Sequence, residues 1–144
     1  MRTHAIRTLA ALAVTLTATT GTVVLAAPAG AATGYRVEVT CSVPKRQPER
    51  QLAPDSCLNY VPDGTQTYTA KVRKADGSAA AGVTVKWTDN ATSAHFRLRQ
   101  NPCTTNSSGV CSAELVVKNP KKGQKVTVTA TVGGASDNGY LTFG

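Results

Sequence analysis

The chain has 144 residues, 16 of them Lys or Arg against 8 Asp or Glu, a formal net charge of +8 and only 5% aromatic residues. That length suits one domain with a single core, and the excess of positive charge favours anionic partners. No aromatic residues interleave with the charges, so base stacking is not supported, and sequence-specific nucleic-acid recognition is not expected.

Arg2 and Arg7 precede the apolar run Leu9 to Val14 and the stretch Gly21 to Ala27, after which come the small residues Ala29, Gly30 and Ala31. This pattern predicts a secretory signal peptide over residues 1–32, while its threonines and Pro28 make it a poor membrane span. Residues 33–144 are predicted to be the exported domain, its charge two below the +8 of the whole chain once Arg2 and Arg7 are gone. No second long apolar stretch follows, so no transmembrane anchor is expected, and the product is read as secreted and monomeric.

Tyr35 to Cys41 alternates apolar and polar residues without a break, as a half-buried strand does, with Tyr35, Val37, Val39 and Cys41 inward. From Ser42 to Gly64 the pattern collapses: Pro44, Pro48, Pro54 and Pro62 remove backbone donors, and Lys45, Arg46 and Arg50 make the segment basic. It is read as a proline-rich loop. Alternation returns at Gly64 to Lys74, with Tyr68, Ala70 and Val72 on one face, and a turn at Asp76-Gly77 follows. Val83 to Thr88 places Val83, Val85 and Trp87 inward, and Trp87 is the largest apolar body available to so small a core. Ala94 to Arg99 reads as a short strand with Phe96 and Leu98 inward, ended by Asn101-Pro102. Cys103 to Val117 reads as a β-hairpin whose polar turn, Asn106 to Gly109, separates a cysteine on each arm; Cys111, Ala113, Leu115 and Val117 share one pleat face. Lys125 to Val132, including Val128, is the cleanest strand, and Gly133 to Gly139 reads as a turn into a terminal strand, Tyr140 to Phe143. The predicted core is Trp87, Val85, Tyr68, Leu115 and Val128. Seven or eight short strands without helical periodicity predict an all-β, immunoglobulin-like antiparallel sandwich.

Cys41, Cys57, Cys103 and Cys111 all lie in the exported part, which in an oxidising compartment reads as two disulfides. Zinc is the weaker reading, since the separations of 16, 46 and 8 residues contain no C-x-x-C pair. Of the three possible pairings, Cys41 with Cys57 and Cys103 with Cys111 is expected, because each joins the ends of one local loop. A link from Cys57 to Cys103 or Cys111 would instead give the inter-sheet antibody pattern.

Asp63-Gly64, Tyr68 to Val72, the Asp76-Gly77 turn, Ala81 to Trp87, Thr105 with Gly109-Val110, and Val126 to Ala130 together resemble a bacterial Ig-like domain of the Big-1 type, the module repeated in intimin- and invasin-like adhesins. The resemblance covers about 80 residues and implies an Ig-like sandwich acting as a spacer or adhesion module. The chain departs from that pattern in the proline-rich loop and the cysteines. The Ser108-Gly109 turn followed by Ser112-Ala113, with the size, the two expected disulfides and the export signal, is also similar to small secreted apoproteins of the neocarzinostatin type. That likeness implies a carrier of an apolar small molecule in a cleft.

No enzyme is expected, because His95, the one histidine of the exported part, has no acid or nucleophile at a recognisable spacing. Asp55, Asp63, Asp76, Asp89 and Asp137 are read as turn residues making local hydrogen bonds, and neither metal nor cofactor is expected. The basic side chains mostly solvate strand faces and guard edges. Where they bind, they favour an anionic cell-surface polymer or a protein partner, with Lys45, Arg46 and Arg50 of the proline-rich loop as the candidate contact. The sequence thus predicts a secreted, non-enzymatic module with a binding, adhesion or structural role at the cell surface or in the matrix, the carrier being the alternative.

Overall fold

Strict two-residue periodicity produces strands here, and their inward side chains meet between two sheets. The computed structural model describes residues 34–43 and 49–144; the signal-peptide segment 1–32, Lys45 and Arg46 lie outside them. Ten strands occur among the described residues: β1 Tyr35–Ser42, β2 Arg50–Ala53, β3 Ser56–Asn59, β4 Thr65–Lys74, β5 Thr84–Asp89, β6 Ala94–Phe96, β7 Cys103–Thr104, β8 Val110–Val117, β9 Lys125–Val132 and β10 Ala135–Phe143. One sheet has the order β1-β4-β8-β6 and the other β2-β3-β10-β9-β5-β7. Strand pairs are antiparallel except β3 with β10, which run parallel with Cys57 opposite Leu141. This is the predicted Ig-like sandwich with more strands than the seven or eight expected.

The core lies between the inner faces. Tyr68, Val85, Trp87, Leu115 and Val128 are all buried. The Trp87 ring lies 5.5 Å from that of Phe96 and 6.4 Å from that of Tyr68, tilted against both. The tilts suit aromatic quadrupoles better than a face-to-face stack.

The structure departs from the sequence reading at four places. Residues 42–64 are more than a loop: β2 and β3 form a hairpin there, and β3 joins β10 across a separation that local patterning does not reveal. The segment from Cys103 to Val117 is not a hairpin, because β7 pairs with β5 in one sheet while β8 pairs with β4 and β6 in the other. It is an arch that crosses the sandwich. Leu98 faces water, 92% exposed, because the chain leaves β6 at Arg97 and turns through a single 3-10 turn over Leu98–Gln100. Finally, the turn after β9 is confined to the two glycines 133 and 134, and β10 begins at Ala135, so Asp137 lies in a strand.

Free sheet edges are closed by specific groups. On β1 the Val39 N–H donates to the Asp137 carboxylate at 2.8 Å, and the Cys41 N–H to the Pro54 carbonyl at 2.8 Å. Where β5 runs past the short β7, the Asn101 side chain accepts the Trp87 N–H and donates to the Trp87 carbonyl, both at 2.9 Å. A side-chain amide so placed imitates one more strand and satisfies an edge that would otherwise invite pairing.

Candidate functional site

Both disulfides form in the expected pairs, Cys41 with Cys57 and Cys103 with Cys111. Each joins a strand of one sheet to a strand of the other: β1 to β3, and β8 to β7. The Cα atoms stand 6.2 and 6.1 Å apart, inside the usual disulfide range. The Trp87 indole N–H points at the Cys103 sulfur, 3.2 Å away. A buried tryptophan against an inter-sheet disulfide is the antibody-domain arrangement, reached here through a local pair of cysteines.

The arch between β7 and β8 is fixed by side chains read as turn formers. The Asn106 side-chain oxygen accepts the N–H groups of Ser108 and Val110 at 2.9 and 3.1 Å. Thr105 is buried; its hydroxyl donates to the Ala80 carbonyl at 2.6 Å and accepts the Val83 N–H at 2.9 Å. Gly109 has φ +75°, and a Cβ there would collide with the Val72 carbonyl oxygen, so glycine is required by conformation and by space.

The segment between β1 and β4 is fastened at several points besides its disulfide. Gln51 donates to the carbonyls of Cys41 and Pro54 at 2.9 and 3.2 Å. Buried Asn59 donates to the Thr65 carbonyl at 2.9 Å and accepts the Tyr60 N–H at 2.7 Å. Of the candidate contact residues, Arg50 opens β2 at the margin of its sheet and is exposed; Lys45 and Arg46 belong to the undescribed stretch.

Below this segment a polar groove of about 350 Å³ is lined by Ser42, Glu49, Asp63, Gln66 and Glu114, among others. Burial raises the Glu49 carboxyl above the ordinary carboxylate range, and the nearby charge of Asp63 and a hydrogen bond with it push the same way. Glu114 instead pairs with Arg97, the one ion pair among the described residues. A second, open groove of about 420 Å³ is lined by His95, Arg97, Leu98, Arg99 and Gln100.

Asp63, Asp76 and Asp89 make the local bonds expected of turn carboxylates, with backbone N–H groups two residues on at 2.9, 2.9 and 3.1 Å. Asp137 does not: it reaches across to β1. Among the described residues no group of three His, Cys, Asp or Glu could hold a metal ion, and no helix is long and apolar enough to cross a membrane. Tyr140, not among the sequence candidates for contact, is 43% exposed on the outer face of β10. The sequence places it at the start of the terminal strand, and the polar neighbours on its face carry no signal of a site.

The profile of the bacterial Ig-like domain, group 1 (Big_1), matches residues 59–144. The match takes in β4 to β10 and the Cys103–Cys111 bridge, and leaves Cys41 and Cys57 outside it. Among solved structures, the D00-D0 domain of intimin resembles the chain with a TM-score of 0.52 at 22% identity, covering 75% of this chain and 45% of that one. At that identity the likeness concerns the fold, and the chain spans under half of that structure's length. No curated protein matches the chain.

Proposed function

Because the chain belongs to the bacterial Ig-like (group 1) family, we propose that it is a secreted, non-catalytic module that attaches to anionic material at the bacterial surface or in the matrix around it. The carrying observation is the fastening of the segment before β4: the Cys41–Cys57 bridge joins it to the opposite sheet, and Gln51 and Asn59 hold its two ends. A loop already ordered at its base loses less entropy when it meets a partner. In this reading Lys45, Arg46 and Arg50 contact the anionic partner, and the sandwich is the rigid body that presents them. The likeness to adhesin modules supports a surface role. The carrier alternative gains no support from the grooves, since one is lined mainly by carboxylates, hydroxyls and an amide, and the other is open and flanked by arginines.

The test is a pull-down of isolated cell-wall material with the wild type and with a Lys45→Ala, Arg46→Ala, Arg50→Ala triple variant at low and at physiological salt. Binding by the wild type that weakens with salt and drops in the variant is the expected result. Equal binding by both proteins removes the loop from the reading. Absence of binding at every ionic strength removes surface attachment itself.

A further inference from the structure

We propose that the outer face of the six-stranded sheet, centred on Tyr140 and bounded by Arg50 and Lys125, is a platform for a linear acidic polysaccharide; this rests on the surface-attachment reading and supplies its ligand class. Register places the residues. Arg50 stands opposite Leu58, Leu58 opposite Thr142, and Thr142 opposite Lys125, so one row crosses β2, β3, β10 and β9. Residues opposite one another share a face, and Leu58 and Thr142 alternate with the buried Cys57, Asn59, Leu141 and Phe143, so the row points outward. Three strand spacings separate its two cations, about 14 Å. The next row on the same face, about 7 Å away along the strands, is Ser56, Tyr140 and Thr127. Beyond it lie Asn138 and Thr129, whose hydroxyl donates to the Asn138 side-chain oxygen at 2.8 Å.

The two outer faces differ in charge. On the four-stranded sheet, Glu38 stands opposite Lys71, and Glu114 pairs with Arg97. Among the described strands of the six-stranded sheet, no outward position carries Asp or Glu, whereas Arg50, Lys86 and Lys125 do point outward there. None of these three has an ion-pair partner among the described residues. Lys121 and Lys122, exposed on the turn that leads into β9, extend the positive margin.

This combination selects a ligand chemistry. The apolar C–H face of a pyranose ring packs against an exposed phenol ring, and its hydroxyls find donors and acceptors in Thr127, Thr129, Asn138 and Ser56. Recurring acid groups on the chain meet the cations at the margin. A single-stranded nucleic acid would call for a succession of aromatic rings, and the face has one.

The experiment titrates the exported chain with polygalacturonate, with neutral dextran and with inorganic polyphosphate, at low and physiological salt. Polygalacturonate is expected to bind, more weakly as salt rises, and dextran to bind far less. Tyr140→Ala should weaken polygalacturonate binding on the order of tenfold, while Tyr140→Phe, which keeps the ring, stays near wild type. Arg50→Gln with Lys125→Gln should lower affinity and flatten the salt dependence, and Arg73→Gln on the other sheet should change neither. Tyr140 lies on the outer face, outside the buried core, so its replacement leaves the core intact, and an unchanged thermal melt establishes this. Undiminished binding by Tyr140→Ala, equal binding of dextran, or polyphosphate bound as tightly as polygalacturonate overturns the platform. Should polygalacturonate fail to bind while cell-wall material is still pulled down, the platform falls and surface attachment stands; failure of both sinks both.

Discussion

The hydroxyl of Tyr68 lies inside the sandwich with no hydrogen-bond partner among the described residues. Burial first, and the negative charge of Asp55 second, raise its pKa above the ordinary 10.0. Removing an unsatisfied buried hydroxyl while keeping the ring is expected to leave stability unchanged or raise it by up to about 1 kcal/mol, so Tyr68→Phe should match or exceed the wild type in urea midpoint at pH 7. The pH dependence has a definite sign. The native phenol keeps its proton after the unfolded one has lost it, so this contribution is complete below pH 10 and declines as pH rises above it. Wild type should therefore lose more stability than Tyr68→Phe between pH 8 and pH 11, and parallel losses would contradict the burial of that hydroxyl. At the centre of the core, Trp87→Ala is expected to cost about 3 to 5 kcal/mol, and Lys86→Ala, on the outward side of the same strand, within about 0.5. Denaturant melts of the two variants check both figures. Inward and outward positions of β5 were legible from alternation alone. Leu98 was not, because one 3-10 turn after Phe96 breaks the two-residue period on which the reading depended.

At the level of elements, the strands easiest to read, β4, β8 and β9, bury every second residue, apolar throughout except for Gln66 in β4, so their sequence repeats their environment. The first half of β10 is not legible in the sequence, for a physical reason. Its inward positions are Ala135, Asp137 and Gly139, which carry no apolar bulk, because the opposite wall fills that space: a Cβ on Gly139 would lie 2.7 Å from the Tyr68 ring and 2.9 Å from Val39. The arch from β7 to β8 cannot be told from a hairpin by sequence, because a polar turn between two cysteines looks the same whether its arms pair with each other or with distant strands. Partner choice depends on contacts far away in sequence, as does the platform row from Arg50 to Lys125, whose members lie 75 positions apart. Asn101 gives the element scale its own expectation. Asn101→Ala leaves the Trp87 N–H and carbonyl without their partners and is expected to cost about 1 to 3 kcal/mol. The variant should also self-associate more readily as that edge opens, which light scattering at rising concentration would detect.

For the whole molecule, the two bridges close loops of 16 and 8 residues, contributing about 3 and about 2.5 kcal/mol if each acts by restricting the unfolded chain. Replacing each pair by alanine separately, and measuring both variants in denaturant without reductant, should give losses of that order; a near-zero loss for Cys41 and Cys57 would mean that the segment before β4 is held by its hydrogen bonds alone. The position of that bridge also governs how the molecule answers to tension. Tyr35 lies beside Gly133 at one end of the sandwich, Val39 is bonded to Asp137 midway, and Phe143 lies at the other end, so β1 and β10 run side by side in one direction. A load applied between Tyr35 and Phe143 cannot strip β1 away beyond Cys41, and it passes through sulfur into β3. There it meets a parallel ladder with β10 whose hydrogen bonds are strained together, in shear, and do not open one after another. Pulled between Tyr35 and Phe143, the domain should yield at a markedly lower force in reductant than without it, a difference that single-molecule pulling would record as a drop in the rupture peak.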